Sequence, residues 1–311
     1  MAAILIFGNC QGDPLSPYLF ILALEPLSRV IKSDKDIMGI KVIDTKFKIG
    51  QYADDTFLLL DGSPGSLRNV LVHLEVFERV AGLRLNVDKT EAAWVGHKPK
   101  EKAPICPEYR LKWPDKFTLL GISFLPDLNQ DQMFEVNFTS KISEIENTLK
   151  SYGKRNLSLQ GKVSVIKTMC VSKFIHILSV LPNPPRVYLD GLSNMFNRFL
   201  WSNKRPRLSK AVLYRDYGEG GLCYPCLEIL LKSLKISWVK RLLCTNGDWQ
   251  TLVGHIIPCY HQHTLWEQEE ESLQHIAKNV KNLFWAETIA AWVEPIRGWD
   301  EEKITDIMLN P

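Results

Sequence analysis

Tyr52-Ala53-Asp54-Asp55, running into Thr56-Phe57-Leu58-Leu59-Leu60, is the stretch on which the fold turns. Upstream, Phe47, Ile49 and Gln51 alternate with Lys46, Lys48 and Gly50, the period of a strand with one polar face. Downstream, residues 56–60 are β-branched, aromatic and aliphatic, which suits a buried strand. The two carboxylates are therefore expected at a hairpin tip, within a β-ribbon from Ile40 to Leu60. Held side by side they repel, unless hydrogen bonds or a divalent cation compensate them. Hard cations such as Mg2+ take oxygen ligands and leave room for phosphates, so the doublet suits metal-assisted phosphoryl transfer. Taken alone, Asp-Asp also fits an ordinary solvated turn.

Its neighbours narrow the choice. Gln11-Gly12-Asp13-Pro14-Leu15-Ser16-Pro17-Tyr18-Leu19-Phe20 comes first, leading into a helical apolar run through Ile21, Leu22, Leu24 and Leu27. After the doublet come Ala81-Gly82-Leu83-Arg84-Leu85-Asn86-Val87-Asp88-Lys89-Thr90 and Leu119-Leu120-Gly121-Ile122. In this order and spacing the motifs resemble the palm of a reverse transcriptase of non-LTR (LINE-like) retrotransposons, from about Gly8 to about Phe124. The likeness continues more weakly through Leu157-Ser158-Leu159-Gln160-Gly161-Lys162 and Gly220-Gly221-Leu222.

That resemblance implies roles. Asp54 would bind catalytic metal and Asp55 support it, in a two-metal Mg2+ site that activates the primer hydroxyl and stabilises the leaving pyrophosphate. Tyr52 and Ala53 would approach the primer end. Gln11 and Gly12 would lie against the incoming nucleotide and template, glycine allowing close backbone approach. Lys89 would stand near the triphosphate, where an ammonium can protonate the leaving group. Leu120 and Gly121 would grip the primer backbone. The implied partners are an RNA template, a DNA primer and a dNTP.

One departure matters. Polymerases of this family need another metal-binding Asp on a strand before the Gln11-Gly12 segment. Met1 to Cys10 contains no Asp or Glu, and Asp13 falls too late to fill the position. The chain therefore reads as the C-terminal part of a palm plus thumb, inactive alone as an RNA-directed DNA polymerase. The alternatives are a non-catalytic nucleic-acid-binding remnant and a maturase-like protein.

At 311 residues and 45% apolar, the chain suits about two domains. The expected class is α+β: an incomplete polymerase palm, antiparallel sheet with packed helices, over 1–125. A helical thumb-like region over 126–215 and a helical C-terminal region over 216–311 should follow. Within the palm, Tyr18 to Ile31 has helical spacing. Ser63-Pro64-Gly65-Ser66 caps a second helix whose face is Leu67, Val70, Leu71, Leu74, Phe77 and Val80, ended by Gly82. Strands are expected near 90–95 and 116–124. Further helices are expected at Leu159 to Leu181, Tyr188 to Trp201 and Leu227 to Leu243.

The formal charge of +3 is unevenly spread. Residues 141–215 hold fourteen Lys or Arg against three acids, whereas 266–311 hold ten acids against four bases. The basic middle suits a polyanion, although basic stretches also form ordinary solvated faces. Seven cysteines, an odd number, point to a reducing and hence intracellular compartment rather than a disulfide framework. Met1 to Phe7 lacks a basic leader, and no apolar run approaches a membrane span, so no membrane partner is expected. Cys223 and Cys226 lie too far from His255, Cys259, His261 and His263 for a common zinc finger, and are expected as plain thiols. Trp201, Trp238, Trp285 and Trp292 are expected in cores or interfaces.

Overall fold

Pro17 opens an apolar run at a position where its missing N–H costs nothing, and the first helix, α1 (Ser16–Ser33), starts there. The computed structural model describes residues 14–42, 45–53, 55–95, 106–127, 129–244, 247–257 and 270–296. The chain divides into two compact units, 1–129 and 130–311.

In the first unit, β1 (Ile40–Val42) pairs antiparallel with β2 (Thr45–Phe47), and β3 (Ile49–Tyr52) with β4 (Asp55–Leu58). The expected continuous ribbon is thus two short ones, changing partner at Lys48 and closed by a bridge between Gly39 and Leu60. Strand β4 is only half-covered: Asp55 and Thr56 are exposed, and Phe57 and Leu58 half-buried. Among the described residues no third strand pairs with this ribbon to bury it, which corrects the expectation of a buried strand.

Lys48 is a second correction. Alternation places it on a polar outer face, yet it is only 8% exposed. Its ammonium donates to the carbonyls of Ile31 (3.4 Å), Lys32 (3.0 Å) and Asp34 at the end of α1. The last turn of a helix leaves such carbonyls without intrahelical donors and carries partial negative charge. A buried cation there is paired by geometry. His73 adds a second tie, its Nε2 standing 2.6 Å from Asp34 Oδ2. That hydrogen bond holds the Asp34 carboxyl below its ordinary range.

His73 belongs to α2 (Pro64–Ala81), which begins and ends as the sequence predicts. The Ser63 side chain accepts from the Ser66 N–H, and Gly82 closes the helix at φ 71°. Leu27, Ile31, Ile37 and Val70 form the core, with Ile49, Leu58, Leu60, Leu74 and Phe77 packed against it. The second half of α1 and the Val70, Leu74 and Phe77 face of α2 thus pack on the β3–β4 hairpin, whereas Val80, expected on that face, is 75% exposed. The strand expected near 90–95 reduces to one bridge, Glu91 with Lys112. The hairpin β5 (Phe117–Leu119) and β6 (Ile122–Phe124) is present.

The second unit is helical among its described residues. Helix α3 (Gln130–Gly153) precedes a long helix made of α4 (Leu159–Val165), a π-helical turn (Ile166–Val171) and α5 (Ser172–Val180). Phe134, Phe138 and Phe174 stack in series, with centroids 3.9 and 5.1 Å apart. By length and composition the segment Leu159–Val180, at mean hydropathy 1.5, could cross a membrane. Its apolarity has a local cause: Val163, Ile166, Cys170, Phe174, Ile177 and Leu178 are buried inside the unit.

Helices α6 (Arg186–Leu200) and α7 (Lys210–Tyr214) follow, then α8 (Leu227–Cys244), α9 (Asp248–Ile256), α10 (Glu270–Asn279) and α11 (Leu283–Ile296). A core of Val239, Leu242, Val253, Ile257, Leu273, Ile289 and Trp292 joins α8 to α11. Trp201, Trp285 and Trp292 are buried as expected.

Lys235 of α8 is fully buried, donating to the Leu181 carbonyl at 2.7 Å and lying 3.8 Å from the Phe284 ring centroid. Its partner is Glu287, 3.6 Å away, which also accepts the Asn183 N–H at 2.7 Å. Burial lowers the lysine to about 8 and raises the glutamate, since desolvation disfavours both charged forms. Removing one partner strands the other, so Lys235→Met should cost about 3–5 kcal/mol in urea unfolding. The double variant Lys235→Met/Glu287→Leu should recover most of that loss. Between the folded value near 8 and the ordinary 10.5, the unfolded chain binds this proton more tightly. The Lys235 contribution to stability should therefore rise with pH across that window, and Lys235→Met should abolish that rise.

Candidate functional site

The β3–β4 hairpin is built from opposed pairs: Ile49 with Leu58, Gly50 with Phe57, Gln51 with Thr56 and Tyr52 with Asp55. The last pair leaves residues 53 and 54 to join the strands. A two-residue connection favours positive φ, which matches strand twist, and Ala53 has φ 51°. Non-glycine residues rarely adopt this conformation, so the tip carries backbone strain. Tyr52 is 69% exposed and Asp55 is exposed beside it.

Gly50 explains how the ribbon stays tight. A Cβ there would lie 2.1 Å from a ring atom of Phe57, so only glycine admits the aromatic side chain directly across the pair. Gln51 has its side-chain nitrogen buried with no hydrogen-bond partner among the described residues.

The expected site residues are distributed unevenly. Tyr52, Ala53 and Asp55 come together at the hairpin tip. Asp54, Gln11 and Gly12 lie outside the described residues. Lys89 sits in a turn of its own, its N–H donating to the backbone and side-chain oxygens of Asn86 at 3.1 and 3.2 Å. No hydrogen bond or ion pair joins it to Tyr52, Ala53 or Asp55 among the described residues. Leu120 and Gly121 form the β5–β6 turn, both at positive φ (48° and 79°).

Mg2+ would need hard oxygen ligands converging on one point. Asp55 offers such a carboxylate, but no cluster of three or more His, Cys, Asp or Glu occurs among the described residues. The described residues alone do not make up the ligand set. The thiol of Cys223 donates to Asp216 Oδ1 at 3.4 Å, and burial with Cys226 alongside holds the Tyr214 hydroxyl above its usual range. Cys259, His261 and His263, the more distant zinc candidates, lie outside the described residues.

Residues 7–124 match the family of reverse transcriptases (RNA-dependent DNA polymerases). That span holds the hairpin, both packed helices and the β5–β6 turn. The retrovirus-related Pol polyprotein from the type-2 retrotransposable element R2DM of Drosophila melanogaster is 27% identical over 257 residues, covering 79% of this chain. The type-1 R2 Pol polyprotein of Bradysia coprophila is 26% identical over 260 residues, again 79% of the chain. The segment 7–124 is thus similar to reverse transcriptases, and the relatives that share its sequence are retrotransposon proteins.

The Xenopus laevis transposon TX1 149 kDa protein is 25% identical over 266 residues, 82% of this chain. Alignments of this length run past residue 124, so the helical second unit shares sequence with these proteins as well. The chain spans 23%, 19% and 28% of the R2DM, TX1 and Bradysia proteins respectively.

Sequence reasoning missed Gly50, Lys48 and Gly62 as builders of this reverse transcriptase segment. Gly62 has φ 82°, and a Cβ there would meet the Trp94 ring at 2.5 Å. Only the glycines themselves signalled these close approaches. Strain at the tip gives a test. Ala53→Gly should stabilise the chain by about 0.5–1 kcal/mol, and the β-branched Ala53→Val should destabilise it by more than about 1 kcal/mol. Urea midpoints of the three proteins decide the order.

Proposed function

We propose that this chain is the palm-to-thumb portion of a non-LTR reverse transcriptase, with Asp54 and Asp55 as its share of a Mg2+ site. Tyr52, Ala53, Gln11 and Gly12 then border primer and nucleotide, Lys89 faces the triphosphate, and Leu120-Gly121 holds the primer strand. Residues 1–125 act as an incomplete palm, 126–215 as a thumb, and 216–311 as a helical extension. Template RNA, primer DNA and dNTP are its substrates in the intact enzyme.

The observation that carries this reading is the Tyr52–Asp55 pair at a strained two-residue hairpin tip, inside the segment that matches reverse transcriptases. Mg2+ chemistry of this class needs carboxylates from two strands to clamp the attacking and leaving oxygens. No Asp or Glu precedes Gln11 in this polypeptide, so we infer that it does not extend primers by itself. Two features support a further segment beside the hairpin in the working enzyme. Tyr18, Ile21 and Leu22 on the first half of α1 are more than half exposed, and the buried Gln51 amide lacks an acceptor among the described residues.

The test is primer extension on a primed RNA template with dNTPs and Mg2+ or Mn2+. This polypeptide alone should give no product above background. Fused behind an Asp-bearing palm strand and fingers from a relative, it should extend, and Asp54→Ala should abolish that product. Robust extension by the polypeptide alone, lost in Asp54→Ala, would refute the claim of incompleteness. Extension by the fusion that survives Asp54→Ala would refute the assignment of Asp54.

A further inference from the structure

Helices α6 and α7 border an open polar cleft of about 700 Å³ in the second unit, to which the thumb assignment gives no particular contact. Ser193, Asn194 and Asn197 line it from α6, Lys210 and Tyr214 from α7, and Glu228 from α8. Tyr214 is 37% exposed and stacks over Tyr224, with centroids 6.2 Å apart and planes 25° apart. The Tyr224 hydroxyl donates to Asn197 Oδ1 at 3.4 Å. That bond orients the Asn197 amide and leaves its nitrogen free to donate. The side chains of Ser193 and Asn194 make no hydrogen bond among the described residues, although their backbone groups are paired within α6. The cleft therefore offers an aromatic face with amide and hydroxyl groups around it.

The segment joining the two helices supplies charge. From residue 191 to 215 there are six cations, Arg198, Lys204, Arg205, Arg207, Lys210 and Arg215, and no acid. Residues 202–210 are all exposed, and Arg198, Lys204, Arg205 and Arg207 make no ion pair among the described residues.

The reversal that presents these cations is fixed. Trp201 is buried, and Ser202 and Asn203 both adopt left-handed φ, 50° and 60°. The Asn203 N–H donates to the Arg198 carbonyl and the Lys204 N–H to the Trp201 carbonyl, both at 2.9 Å. Lys162 of α4 locks the turn from below, donating to the Leu200 carbonyl at 3.2 Å and to Ser202 Oγ at 2.5 Å. A rigid turn loses little freedom when its cations meet a ligand.

We propose that this cleft and loop bind single-stranded nucleic acid, with phosphates on Arg198, Lys204, Arg205 and Arg207 and a base stacked on Tyr214. Lys210 belongs to both features and leads the strand from loop to cleft. Asn194 and Asn197 meet the edge of the base, which a paired duplex would not present. Rim contacts are balanced by the Arg186–Glu228 pair at 3.7 Å and by Asp190, so attraction for phosphate concentrates at the loop. The inference rests on the chain handling nucleic acid as a reverse transcriptase portion does, and assigns that contact to particular residues.

Fluorescence anisotropy with the full chain and labelled single-stranded RNA of about 12 nucleotides tests it, with duplex RNA as comparator. The triple variant Lys204→Gln/Arg205→Gln/Arg207→Gln should weaken binding about tenfold or more and lower the slope of log affinity against log salt by about 2. Tyr214→Leu, which keeps the burial against Tyr224, should weaken single-strand binding roughly fivefold or more with the salt slope unchanged. Circular dichroism and urea midpoints confirm that each variant folds. Parent-like binding by the triple variant overturns the proposal, as does an equal effect of Tyr214→Leu on single strands and duplex. A parent chain that binds no nucleic acid also overturns it. The reverse transcriptase reading is judged separately, by extension with the fusion protein.

Discussion

Lys48 brings an ammonium to the carbonyl end of α1, and the geometry of the hairpin follows from that contact. A buried cation is tolerated only where oxygens surround it, and the three carbonyls at the end of α1 are such a place. The lysine sits where β2 ends and β3 begins, so the same residue breaks the ribbon and anchors it. Its own carbonyl accepts the Leu59 N–H at 2.8 Å, joining the far strand to the anchor. Four residues on, the chain reaches Tyr52 and the strained Ala53. The acidic tip is therefore aimed by a polar contact at its base, while Ile49 and Leu58 bury the lower half of the ribbon on α1 and α2.

The second unit uses the same device deeper. Lys235 is surrounded by the Leu181 carbonyl, the Phe284 ring and Glu287, which in turn accepts from Asn183. Trp238, one turn along α8, donates to the Ser179 carbonyl at 2.6 Å. These bonds fasten the end of α5 to α8 and α11, where hydrophobic contact alone would specify no register. The cations of the α6–α7 loop are the opposite case, carried on a fixed turn yet without ion pairs among the described residues. Charges that a fold could have neutralised and did not are the ones available to a ligand.

What the sequence disclosed followed from strong local signals. Ser63, Pro64 and Gly82 punctuate α2 because capping and positive φ leave few residue choices. The doublet at 54–55 between strand-like runs, in order with the Gly12, Lys89 and Gly121 motifs, disclosed the family. The inward turn of Lys48 was not legible, since alternation sees a strand but not the helix end waiting beside it. The split of the ribbon and the exposure of Thr56 escaped for the same reason: both depend on how many strands lie alongside. Polar residues interrupt the segment Leu159 to Val180 in sequence, and helical geometry gathers its apolar ones on one buried face. Pairings such as Lys235 with Glu287, 52 positions apart, leave no local trace.

The central physical claim is that the acidic hairpin is held by Lys48 rather than by its own short ladder. Native-state amide hydrogen exchange measures this directly, comparing the parent chain with Lys48→Met. The account predicts that protection at the ladder amides Gly50, Phe57 and Leu59 falls about tenfold or more, with amides of α8 and α11 unchanged. Undiminished protection of the hairpin in the variant would contradict it.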